Sequence, residues 1–98
     1  MNQAALMQVL MSYDTALREN GATGLFIFGS RAVGVPRPDS DLDLFIDYDR
    51  RSRFSLIELI GIKQPLERRL GVAVDLTTRD SLDPLLRDRI EATAERLF

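Results

Sequence analysis

Two aspartates separated by a single residue, Asp41 and Asp43, stand in a stretch that alternates strictly from Asp41 to Ile46. On a strand, Leu42, Leu44 and Ile46 would face one way, and Asp41, Asp43 and Phe45 the other. Residues i and i+2 then share a face, about 6.6 Å apart along the axis. Two carboxylates held in this way can converge on divalent cations lying between their heads. A third acid, Asp75, lies in a second alternating run, with Val72, Val74 and Leu76 on one face and Ala73, Asp75 and Thr77 on the other. The chain has no histidine and no cysteine, which removes the commonest general base, the usual zinc ligand and all thiolate or disulfide chemistry. Any catalysis therefore runs on carboxylates, metal ions, hydroxyls and basic side chains.

The elements that must position these acids follow from pattern and punctuation. Ninety-eight residues at 45% hydrophobic content are enough for one domain, residues 1–98, with a modest core. Residues 2–19 read as an amphipathic helix carrying Leu6, Leu10, Tyr13 and Leu17, stopped by Asn20-Gly21. A strand over Thr23 to Phe28 follows, its bulky Leu25-Phe26-Ile27-Phe28 run bounded by Gly24 and Gly29. Gly29 to Ser40 begins with residues that could start a short helix, and from Gly34 its Pro36, Pro38 and Asp39 indicate loop. Asp41 to Ile46 is the second strand, and Asp47 to Arg53 is a charged connection. A second helix starts near Ser55, which forms a capping box with Glu58, and carries Leu56, Ile57, Leu59, Ile60, Leu66 and Leu70. Pro65 should kink or break it at Gly61, four residues earlier, and Gly71 should close it. The third strand is Val72 to Thr77. Asp83-Pro84 would open a last helix, with Leu86, Ile90, Ala94 and Leu97 carrying it to residue 98. Strands alternating with helices predict an α/β (α+β) domain, a small three- to four-stranded sheet with helices packed on one face. Local sequence leaves open whether the sheet is parallel or mixed.

Gly29-Ser30, ten intervening residues and Asp41-Leu42-Asp43 have the form G-S-x10-D-x-D. With the strand before this motif and Asp75 on a later strand, the chain resembles the nucleotidyltransferase superfamily that includes DNA polymerase beta. It is most similar to the minimal nucleotidyltransferase (MNT) proteins. Gly29 to Gly34, Arg37 to Leu44 and Val74 to Thr77 carry the likeness, which extends from about Leu25 to the last residue. The length suits a stand-alone copy. The resemblance implies the nucleotidyltransferase fold with a mixed sheet, and transfer of a nucleoside monophosphate from a triphosphate with release of pyrophosphate.

The chemistry of the residues is compatible with that reaction. Magnesium prefers hard oxygen ligands and uses a few carboxylates together with substrate phosphates. Two Mg2+ ions about 3.5–4 Å apart can activate an attacking oxygen and neutralise a leaving group. Asp41 and Asp43 would bridge them, and Asp75 would complete the second site if its strand lies beside theirs. Without metal, three clustered carboxylates repel one another. Gly29 would let backbone approach a phosphate closely, and Ser30 could donate its hydroxyl and N–H to the β- and γ-phosphates. Arg31 and Arg37 could offset triphosphate charge. Arg50, Arg51 and Arg53 read as a solvated charge run, and Asp39 and Ser40 as shapers of the turn.

Stand-alone MNT proteins resemble the antitoxin half of HEPN–MNT toxin–antitoxin pairs. The likeness thus implies transfer of AMP from ATP to a tyrosine of a cognate HEPN ribonuclease toxin encoded nearby. Two alternatives stay open. One is a non-catalytic antitoxin that neutralises its partner by complex formation. The other is a catalytic subunit that modifies a small molecule held by a separate helical subunit. A net charge of −2 argues against direct nucleic-acid binding. No apolar run approaches a membrane span and no signal-peptide pattern opens the chain, so a cytoplasmic protein is expected. Oligomeric state, homo- or hetero-, is not legible.

Overall fold

In a computed structural model describing residues 3–29, 41–51 and 56–98, the sheet grows from the two apolar runs that flank the motif. Strands β1 (Ala22–Phe28) and β2 (Leu42–Tyr48) pair antiparallel, and β3 (Val74–Thr78) lies parallel to β2. A two-residue strand, β4 (Glu95–Arg96), pairs antiparallel with β1. The order β3-β2-β1-β4 makes a four-stranded mixed sheet, so the expected α/β class and sheet size hold. The alternation read from the sequence decides the faces. Leu25, Ile27, Leu42, Leu44 and Ile46 are all buried on one side.

Helices α1 (Gln3–Met11), α2 (Asp14–Glu19) and α3 (Leu56–Leu70) cover that side. They contribute Leu6, Leu10, Leu17, Ile62, Leu66 and Leu70 to one core with the strand residues. Helix α3 also makes the crossover that parallel strands β2 and β3 require. Ser55, and with it the expected capping box with Glu58, lies outside the described residues. Gly71 ends the helix as expected, at φ +71° with its N–H on the Glu67 carbonyl at 2.9 Å.

Three expectations need correction. The helix over residues 2–19 is two helices. The Ser12 N–H is shared between the Gln8 and Val9 carbonyls, and the Ser12 hydroxyl also donates to Val9 O. A serine that bonds locally to the backbone competes with helix continuation. Of the kink or break expected at Gly61, the break is absent: α3 is continuous through Pro65. The proline costs about 3 kcal/mol. Ile62 before it and Leu66 and Leu70 after it are buried in one core, at about 1.5–3 kcal/mol each, so packing wins.

The last helix does not reach the end of the chain. Helix α4 spans only Arg87–Thr93, and Asp83 caps a preceding turn instead, its carboxylate accepting from the Leu85 N–H at 2.9 Å. Ala94 is extended (φ −68°, ψ 144°). The chain then joins the free edge of β1, where the Leu97 N–H reaches Leu25 O at 2.8 Å and Leu97 enters the core. An open edge offers a row of unsatisfied backbone groups, and the last four residues meet that demand.

Candidate active site

The other face of the sheet carries the chemistry. Register places Phe28 of β1 opposite Asp43 of β2, and Asp43 beside Asp75 of β3. Residues paired across neighbouring strands point to the same side, so Phe28, Asp43 and Asp75 form one row. Phe26, Phe45 and Thr77 form the next. Asp41 immediately precedes β2 and is exposed. The backbone bond from Leu42 N–H to Ala73 O, at 2.9 Å, holds the start of β2 against the approach to β3. The two acid-bearing segments are thereby brought side by side.

The electrostatics register this arrangement. Burial pushes the Asp43 carboxyl above its usual range, and the neighbouring charges of Asp75 and then Asp41 push it further in the same direction. A carboxylate that is costly to ionise is one that a cation would relieve. Among the described residues no three acidic side chains already enclose a single metal position. Magnesium dehydrates reluctantly and takes one or two protein carboxylates plus substrate phosphates, not an all-protein cage, and Asp43 beside Asp75 is such a pair. The donor set fits such an ion.

Gly29 closes the row. It ends β1 at φ +74°, and a Cβ built there would collide with Oδ2 of Asp43 and lie 3.3 Å from its Cγ. The Asp43 head therefore rests against bare backbone, and no side chain can replace that hydrogen without moving it. Ser30, Arg31 and Arg37, the other expected phosphate contacts, lie outside the described residues.

Within and beside the carboxylate row lies an aromatic layer whose contacts the sequence did not specify. Phe26 and Phe45 stack at 4.7 Å between ring centroids, and Phe28 lies 5.7 Å from Phe45. Arg79 covers both Phe26 and Phe45, its guanidinium 4.8 and 5.0 Å from the two rings. The same group forks onto Asp47, Nε to Oδ1 at 2.7 Å and Nη2 to Oδ2 at 3.0 Å. It also approaches Glu91 of α4 at 3.7 Å, and Glu91 bonds Arg87 at 2.8 Å. Arg79 thus ties α4 to the site side of the sheet. Its partners are distant in sequence, so only the alternation of Phe26 with Phe28, and of Phe45 with Asp41 and Asp43, hinted at this layer.

The fold and the paired acids define a class, and comparison with known proteins agrees. Residues 10–97 match the nucleotidyltransferase domain family, and the chain belongs to it. Protein adenylyltransferase MntA of Thermococcus cleftensis is 35% identical over 75 residues, covering 76% of this chain and 74% of that protein. A Methanocaldococcus jannaschii protein, provisionally named a protein adenylyltransferase, is 38% identical over 74 residues, covering 76% and 77%. Among solved structures, a chain provisionally described as a minimal nucleotidyltransferase superposes with TM-score 0.80 at 32% identity, covering 97% of this chain and 95% of that one. The fold is shared with a chain of a complex described as the tri-AMPylated HEPN toxin of Shewanella oneidensis with its MNT antitoxin (TM-score 0.64, 20% identity, 94% and 71% covered). It is shared too with a toxin–antitoxin structure containing AMP-PNP (TM-score 0.68, 22% identity, 100% and 73% covered). No helix among the described residues is long and apolar enough to cross a membrane.

Proposed function

We propose that this chain is a magnesium-dependent protein adenylyltransferase. It moves AMP from ATP to a tyrosine of a HEPN ribonuclease toxin encoded beside it, and so acts as the antitoxin in the cytoplasm. The observation that carries the reading is the register pairing of Asp43 with Asp75 on one face, with Asp41 just before β2. A module that worked by binding alone does not require two acids side by side at this register. The sequence relatives support the adenylyl donor and the protein acceptor, and the fold relatives support the toxin as partner.

In this account Asp41, Asp43 and Asp75 are the residues that would hold two Mg2+ ions. The ions, when bound, lower the pKa of the acceptor hydroxyl and neutralise the departing pyrophosphate. Gly29 keeps the Asp43 head in place and admits the phosphates to bare backbone. Ser30, Arg31 and Arg37 complete the phosphate grip. The acceptor oxygen bonds to the α-phosphorus as the bond to pyrophosphate breaks, and the hydroxyl proton passes to solvent. The test is to incubate the protein with ATP, magnesium and the product of the adjacent gene, then weigh that product by intact mass spectrometry. One or more added AMP units are expected. An unchanged mass in a mixture that demonstrably forms the complex would remove the enzymatic reading.

A further inference from the structure

The chain has two tyrosines, Tyr13 and Tyr48, and the transferase reading gives neither a role. Tyr13 packs against the core, and among the described residues no hydrogen bond engages its hydroxyl. Tyr48 ends β2, and its hydroxyl donates at the surface to Oδ2 of Asp80 at 2.9 Å. The other oxygen of that carboxylate, Oδ1, accepts from the Thr78 hydroxyl at 2.5 Å. Thr78 is buried at the end of β3, and the Ser81 hydroxyl lies 2.8 Å from its oxygen. We propose that Tyr48 is itself an acceptor of AMP, served by the active site of a second copy of this chain, an inference that rests on the transferase reading above.

The arrangement is that of an activated nucleophile: hydroxyl and base lie within hydrogen-bond reach, and a third group orients the base. The Thr78 and Tyr48 hydroxyls hold the Asp80 carboxyl below the usual carboxylate range, so it is ionised at neutral pH. The hydrogen bond and charge of Asp80 push the Tyr48 phenol above its ordinary 10.0, so the resting pair is phenol and carboxylate. As the phenol oxygen bonds to the α-phosphorus of ATP, the bond to pyrophosphate breaks and the phenol proton passes to Asp80 and on to solvent. The products are a tyrosine O-adenylyl phosphodiester and pyrophosphate. Arg50, whose charge acts on both Tyr48 and Asp80, offsets the charge of the incoming phosphate.

The sheet makes a second copy necessary. Tyr48 follows Leu42, Leu44 and Ile46 at two-residue intervals, so it belongs to the helix-covered face, whereas Asp43 and Asp75 lie on the other. It also stands five residues beyond Asp43, about 17 Å along the strand. No rotation of one side chain carries the phenol around the sheet to its own carboxylate row.

The test mixes unlabelled wild-type chain with isotope-labelled Asp43→Asn chain, which cannot act as donor, in ATP and magnesium. Intact mass separates the two chains, and peptide mapping locates the AMP. The labelled chain should gain AMP at Tyr48, at an initial rate that doubles when the wild-type concentration doubles. Adding Tyr13→Phe to the labelled chain should change nothing. Adding Asp80→Asn keeps the shape but removes the base, and should slow the gain by about 100-fold. That deficit should shrink as pH rises toward phenol ionisation, which a merely structural role for Asp80 would not produce. Three results would overturn the assignment. One is AMP at Tyr13 or at any site other than Tyr48. Another is a wild-type rate with Asp80→Asn. The third is an unmodified labelled chain while the same wild-type preparation adenylylates the product of the adjacent gene in a parallel reaction, which leaves the transferase reading intact. Transfer to neither protein would instead remove the transferase reading and this inference with it.

Discussion

Replacing Gly29 by alanine separates two consequences that are usually confounded, because the chain contains its own control. Gly29 and Gly71 have nearly the same left-handed backbone, φ +74° and +71°. An L-residue in that region costs about 1–2 kcal/mol, so either substitution should lower the melting temperature by roughly 4–16 °C in a domain of this size. The surroundings differ. A Cβ at Gly71 meets nothing within 4 Å, whereas one at Gly29 strikes the Asp43 carboxylate. Ordinary contact is restored only if that carboxylate moves by about an ångström. It sits at the end of a short side chain, so the move costs little stability. A displacement of that size at a reacting centre costs about 100-fold in rate. Gly71→Ala should therefore melt lower and transfer AMP normally. Gly29→Ala should melt lower by a similar amount and lose about 100-fold in kcat. The two are compared by thermal unfolding and by mass-resolved transfer with saturating ATP. In an Asp43→Asn background Gly29→Ala should add almost nothing further to the loss, since both changes act on one group. Equal transfer rates in Gly29→Ala and Gly71→Ala would refute the claim that Gly29 exists to seat Asp43.

Other perturbations have definite signs. Asp43 has a raised pKa, so its contribution to stability is fully present below its ordinary 3.8 and is lost as pH rises through the raised value. Asp43→Asn should raise the melting temperature of the metal-free protein at pH 7, the gain vanishing as pH falls to 3.8, while transfer drops by at least about 100-fold. Arg79→Lys keeps the charge but loses the fork onto Asp47 and the cover over Phe26 and Phe45. It should destabilise by about 1–3 kcal/mol in denaturant unfolding, and a wild-type midpoint would show that the clamp does not hold α4. Leu97→Ala, in the core beside β1, should cost about 2–3 kcal/mol, checked by the same titration. A surface-like value below 0.5 kcal/mol would contradict the C-terminal strand.

What could be read from residues alone follows a physical line. The alternation around Asp41 and Asp43 and the glycine-bounded run at Leu25 to Phe28 are local signals with local causes, and both strands lie where they were expected. Asp75 was legible as a candidate because its own strand alternates, but its place beside Asp43 is a register between segments far apart in the chain. Only the fold supplies that register. The features missed share this non-local origin. Glu95 and Arg96 are extended because the edge of β1 needs partners, and α3 passes through Pro65 because Ile62, Leu66 and Leu70 share one core. The role of Arg79 depends on Asp47, 32 residues earlier. Ser12 is the exception, a local helix breaker overlooked within a strong apolar period.

All of this turns on whether two aspartates from different strands hold the same cation. Crystals grown with manganese and a non-hydrolysable ATP analogue, measured at the manganese absorption edge, answer it directly. The account predicts an anomalous peak within coordination distance of both the Asp43 and Asp75 carboxylates and of a phosphate oxygen. Manganese bound through the phosphates alone, with Asp75 uncoordinated, would contradict it.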